Sequence, residues 1–99
     1  MLLHVALQDG FRGDSVRIEV NGREIFRKEG VTTVTQISFA DSVEIDLPSS
    51  PPVVRVQVLS LSVSEFINVP PQDPTYLGIS ITSDGKIRHK ISREPFGYL

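Results

Sequence analysis

Ser15-Val16-Arg17-Ile18-Glu19-Val20-Asn21-Gly22-Arg23-Glu24-Ile25-Phe26-Arg27-Lys28 is the stretch on which the fold class turns. Val16, Ile18 and Val20 alternate with Arg17 and Glu19, the period of a half-buried strand. Asn21-Gly22 then supplies two residues that accept positive φ, as a two-residue type I′ hairpin turn requires. Such a turn pairs Val20 with Arg23, Glu19 with Glu24 and Ile18 with Ile25. Ile18 and Ile25 would then share the core face, and Arg17 would sit where it offsets the Glu19–Glu24 repulsion. A three-residue loop ending at Gly22 would instead pair Glu19 with Arg23 and exchange Ile25 for Phe26 on the core face. The two-residue turn is the expectation.

The same alternation recurs along the chain. Leu3, Val5 and Leu7 define a first strand, and Asp9-Gly10-Phe11-Arg12-Gly13-Asp14 reads as a loop by composition. Val31–Phe39 reads as a strand with Thr33, Thr35, Ile37 and Phe39 on one face. Val43, Ile45 and Leu47 face inward from the next. After a proline-rich break at residues 48–52, Val53–Leu61 is the longest strand candidate, with Val54, Val56 and Val58 on one face and apolar groups on both faces towards its end. Phe66-Ile67-Asn68-Val69 suggests a further short strand, with Phe66 and Phe39 in the core. Beyond Pro70, Pro71 and Pro74, a second hairpin spans Thr75–Ser92. Leu77, Ile79 and Ile81 face inward before an Asp84-Gly85 turn, and Ile87, His89 and Ile91 alternate after it. No segment holds a helical period over ten residues. About eight short strands with regular turn signals predict an antiparallel β-sandwich, jelly-roll-like or immunoglobulin-like, with a small β-barrel as the alternative.

Composition bounds the function. The chain has 99 residues, a formal net charge of −2 and no cysteine. That length predicts a single sandwich domain over residues 1–99. Without a basic excess, nucleic acid is not an expected partner. Disulfides, zinc-thiolate sites and cysteine nucleophiles are excluded. The apolar start Met1–Leu7 lacks a basic leader and meets Gln8-Asp9 too early for a signal peptide, and no apolar run approaches the ~20 residues of a membrane helix. The expectation is a complete, soluble, cytoplasmic protein with no membrane partner, although an excised secreted domain would read the same way.

Several residues could carry chemistry. Asp9, Asp14, Asp41 and Asp84 fall in predicted loops, where calcium gathers about six to eight hard oxygens. Asp and Gly also form turns with no ligand at all, and the spacing is not that of an EF-hand. His4 and His89 would need to lie on neighbouring strands to share a metal or a proton, and two ligands without a third specify no site. The outward carboxylates Glu19, Glu24, Glu44 and Asp46 read as solvated rather than as an acid–base pair. No serine sits in a Gly-x-Ser-x-Gly elbow. Phe11 and Tyr76 lie in or beside loops, as ligand platforms or as plugs over the sandwich. The tail Pro95-Phe96-Gly97-Tyr98-Leu99 carries two aromatics and a terminal leucine, a pattern for docking on this domain or on a partner.

The stretch Val16 to Ile25 resembles hairpins of carbohydrate-binding sandwiches, some of which use calcium. It covers ten of 99 residues, and the chain departs from the usual sugar platform in having no Trp. The resemblance implies sugar or calcium as a ligand and assigns no binding residue. The leading expectation is a non-catalytic interaction module, binding a protein partner or itself through a sheet edge, a sheet face or the tail residues Phe96, Tyr98 and Leu99, with Phe11 and Tyr76 as further contacts. A calcium- or sugar-binding module at Asp9, Asp14, Asp41 and Asp84 is the alternative, and a small enzyme the third. No cofactor other than calcium is suggested.

Overall fold

A computed structural model describes residues 1–48 and 52–97. Pro51, Tyr98 and Leu99 lie outside the described residues. Eight strands run in chain order: β1 (Leu2–Leu7), β2 (Arg12–Val20), β3 (Arg23–Thr32), β4 (Asp41–Asp46), β5 (Val53–Val58), β6 (Val63–Asn68), β7 (Thr75–Ile81) and β8 (Ile87–Ser92). They form two four-stranded sheets, one ordered β4-β1-β7-β8 and the other β3-β2-β5-β6. The fold is therefore the expected sandwich rather than a closed barrel. One pairing departs from a wholly antiparallel arrangement: β1 and β7 run parallel, Leu3 beside Thr75 through Leu7 beside Ile79. Among the described residues no helix is long and apolar enough to cross a membrane.

Period-two patterning builds the core. Leu3, Val5 and Leu7 of β1 meet Leu77 and Ile79 of β7 from one sheet, and Val16, Ile18, Val54, Val56 and Val58 face them from the other, all buried. Each such side chain contributes roughly 1.5–3 kcal/mol of transfer free energy when it leaves water.

The first hairpin has the expected turn. Asn21 (φ 50°) and Gly22 (φ 82°) both adopt positive φ, and Val20 pairs with Arg23 and Glu19 with Glu24. The register then shifts, so that Ile18 faces Phe26 rather than Ile25. Two residues of β3 oppose one of β2, which is a β-bulge at Ile25. The bulge leaves Ile25 45% exposed and packs Phe26 against the core. It also brings Arg27 back to the outer face, opposite Arg17.

Three expected elements differ. Residues 33–39 are not a strand: β3 ends at Thr32, and Val34 and Phe39 form an isolated bridge across a turn. Thr33 explains the stop, because its hydroxyl donates to the Gln8 carbonyl (2.5 Å) and accepts from the Phe11 amide (3.0 Å), which ties the chain to the β1–β2 corner. The long strand from Val53 ends at Val58, and Leu59–Leu61 curl into a 3₁₀ turn closed by Ser62 in the left-handed region. The β7–β8 turn is a three-residue loop rather than a two-residue one. Thr82 bonds Lys86 across residues 83–85, and only Gly85 takes positive φ, the usual form of a three-residue hairpin loop.

The two sheets leave two flanks, one between edge strands β3 and β4 and one between β6 and β8. A polar side-chain contact closes each: the Lys28–Asp41 ion pair on the first and Glu65 against the His89 ring on the second.

Candidate functional site

The β1–β2 corner, the β7–β8 loop and the 3₁₀ turn converge at one end of the sandwich. They enclose a cavity of about 550 Å³ whose lining includes Asp9, Gly10, Arg12, Asp14, Leu61 and Ile81. The walls are stitched by backbone bonds. The Ile81 amide donates to the Asp9 carbonyl (2.8 Å) and the Gln8 amide to the Ile79 carbonyl (2.7 Å). Gly10 is required here: at φ +87° a Cβ would sit 2.0 Å from the Ile81 carbonyl oxygen.

Two of the four acidic candidates, Asp9 and Asp14, line this cavity, and the loop holding Asp84 forms another of its walls. Asp14 is buried and already engaged. It accepts from the Arg12 amide (2.8 Å) and from the Ser60 hydroxyl (2.6 Å), so it ties the start of β2 to the 3₁₀ turn. The segment containing it is a bulged strand start rather than a loop. Asp84 accepts from the Thr82 hydroxyl and pairs with Lys86; the Thr82 hydrogen bond, with its own backbone amide, holds its carboxyl below the ordinary range. Asp41 lies on the β3–β4 flank. The Lys28 hydrogen bond holds its carboxyl below the ordinary range against the opposing effect of desolvation, helped by the Ser42 amide. Of the four candidates, only Asp9 has a carboxylate with no hydrogen-bond or ion-pair partner among the described residues. Among these residues no group of three or more His, Cys, Asp or Glu side chains could hold a metal ion. His4 and His89 are separated by β7. His4 stacks on Tyr76 at 4.7 Å on the outer face, while His89 turns to Glu65 at the flank.

The aromatic candidates separate. Phe11 is 2% exposed and part of the core, which corrects its reading as a partner contact: it seals the sandwich and no surface reaches it. Tyr76 and Phe96 are half-buried and line a cavity of about 190 Å³ on the outer face of the β4-β1-β7-β8 sheet, together with His4 and Phe39. Lys90 lies 6.0 Å over the Phe96 ring. The described part of the tail therefore rests on its own sheet. Phe39 belongs to this outer cluster rather than to the core.

Phe66, expected inside, is 66% exposed. Its neighbour Ile67 pairs with Val54 and is buried, so the pleat sends Phe66 outward. Arg55, its cross-strand partner, places its guanidinium 5.3 Å from the ring centroid. Arg55 also reaches Glu19 (3.4 Å), which is 7% exposed although it lies on an outer face. With its amide turned to satisfy both neighbours, Gln57 donates to Glu19 (3.1 Å) and accepts from Arg55 (3.1 Å). Arg17 Nε lies 2.9 Å from Glu24, a charge contact rather than an aligned hydrogen bond. This network answers the Glu19–Glu24 repulsion that the turn imposes, and it holds Arg55 beneath Phe66. The signal was present in the sequence: once Val54 is inward, the antiparallel register fixes Ile67 as inward and Phe66 as outward.

Of the four edge strands, β6 is the least guarded. β3 carries Arg23, Glu24, Arg27, Lys28, Glu29 and a bulge; β4 carries Asp41, Glu44 and Asp46; β8 carries Arg88, His89 and Lys90. Charges and bulges are what keep edges from pairing. The one charged residue of β6 is Glu65, and it turns to His89. The outward row is Ser64, Phe66 and Asn68. The described prolines at 48, 52, 70, 71 and 74 all lie between strands, so none interrupts an edge.

Comparison with known proteins returned no match: no family model, no curated relative and no solved structure is similar to this chain.

Proposed function

We propose that the chain is a non-catalytic interaction module that binds a protein strand along β6, with a second copy of itself as a competent partner. The observation that carries this reading is the exposed Phe66, backed by Arg55, on the one edge that lacks outward charge. Strand addition supplies affinity through backbone bonds, and the alternate outward side chain supplies selectivity. Aromatic residues, Phe among them, and arginine are enriched in protein–protein interfaces relative to the rest of the surface.

Sedimentation velocity over a concentration series tests it with the full chain and Phe66→Lys. The expected result is a concentration-dependent dimer for the parent and a folded monomer for the variant. Equal association of both, or a parent monomeric at every concentration and unaffected by any added strand peptide, contradicts it.

A further inference from the structure

We infer that the end cavity is a binding site for a small zwitterion with an apolar side chain, an apolar amino acid being the simplest. The inference is independent of the β6 edge and rests on what lines the cavity. Arg12 and Asp9 both face it, and among the described residues neither side chain has a hydrogen-bond or ion-pair partner. Opposite charges thus line one space without pairing with each other. A ligand bearing a carboxylate and an ammonium satisfies both at once, the carboxylate on the Arg12 guanidinium and the ammonium on Asp9. Leu61 and Ile81 supply apolar wall. The volume, about 550 Å³, lies within the usual range of small-molecule pockets.

The remaining lining explains why a cation alone is the poorer fit. Both Asp14 oxygens are occupied, one by the Arg12 amide and one by the Ser60 hydroxyl, which leaves one free carboxylate beside an arginine. A bare calcium ion would meet a single unengaged carboxylate and a positive charge. A bare anion would meet Asp9. The doubly charged ligand uses both unpaired charges at once. The site is also preformed: Gly10 is pressed against the Ile81 carbonyl, and Ser60 holds the start of β2, so ordering the walls costs little on binding.

The test is an amide-resolved NMR titration of the full chain with L-leucine, 4-methylpentanoate and 3-methylbutylamine. The last two lack the ammonium and the carboxylate respectively. Leucine is expected to shift the amides of Gly10, Arg12, Ser83 and Gly85 in saturable fashion, and each single-charge analogue to bind at least about tenfold more weakly. Arg12→Ala and Asp9→Asn, both at exposed positions, are each expected to weaken leucine by about tenfold while leaving the rest of the spectrum folded. No saturable shift with leucine, equal binding by either analogue, or undiminished binding in both variants overturns the proposal. So does calcium alone producing the same shifts.

Discussion

The two flanks of the sandwich are closed by the same device and guarded very differently. On the β3–β4 flank, the edge strands are consecutive in the chain and joined by residues 33–40, which Thr33 pins to Gln8 and Phe11. Both edges are rich in outward charge, and Lys28–Asp41 bridges them. On the β6–β8 flank, the edges are separated in sequence and meet through Glu65–His89. There β8 is charged, but β6 presents Phe66 and neutral polar groups. A polar side-chain contact across the gap is common to both flanks, so it does not decide which one is available. Outward charge, a bulge and a covering loop do.

Three substitutions probe this contrast. Phe11→Ala strikes the anchored flank hardest: it empties a core position beside the loop that Thr33 holds, while the backbone bonds of residue 11 to Thr33 stay in place. A loss of about 3–5 kcal/mol is expected in denaturant unfolding, and a loss below about 1 kcal/mol would show that this end is not held by Phe11. Asp14→Ala acts on the other side, because the 3₁₀ turn that Asp14 holds leads directly into β6. It leaves the Arg12 amide and the Ser60 hydroxyl without their acceptor, an expected cost of about 1–3 kcal/mol. Faster amide exchange at residues 59–63 than in β1 would localise the damage.

Asp41→Asn is the mildest. The Lys28 partner is half exposed, so the pair is worth at most about 1 kcal/mol. Its pH signature has a definite sign. The folded carboxyl titrates below the ordinary aspartate value of 3.8, so the contribution is fully present above that value and is lost as pH falls through the lower folded one. Parent and Asp41→Asn stabilities should therefore differ at neutral pH and converge in acid; a difference that grows below pH ~4 would contradict the sign.

Much of the fold was legible because burial in a sandwich is written with period two. Leu3-Val5-Leu7, Val54-Val56-Val58 and Leu77-Ile79-Ile81 each announce an inward face, and Asn21-Gly22 announces its turn. What escaped was decided by contacts remote in sequence. The bulge at Ile25 admits Phe26 to the core, and nothing local distinguishes those two apolar neighbours. Thr33 and Phe39 look like strand residues until Gln8 and Phe11 take up the hydrogen bonds of Thr33. Leu59 and Leu61 continue the alternation of β5 but curl away from it. The parallel pairing of β1 with β7 has no local signature, since it depends on which sheet the chain enters after the proline-rich loop. At the candidate sites, composition pointed to the Asp9–Asp14 segment and the Asp84 loop, which do converge. It could not show that Asp14 is consumed by Ser60, or that Arg12 and Asp9 line one cavity. Phe66 was misplaced because its apolar character suggested burial, whereas the pleat is fixed by its neighbour Ile67.

Amide hydrogen exchange along β6, measured on the full chain at low and high protein concentration, tests the unguarded edge most directly. Alternate β6 amides bond β5, and those between them point away from the sheet. The outward-pointing amides are expected to exchange freely in dilute solution and to become protected as concentration rises, while the edges of β3, β4 and β8 do not change. Uniform protection of β6 at every concentration, or concentration-dependent protection confined to another edge, would contradict it.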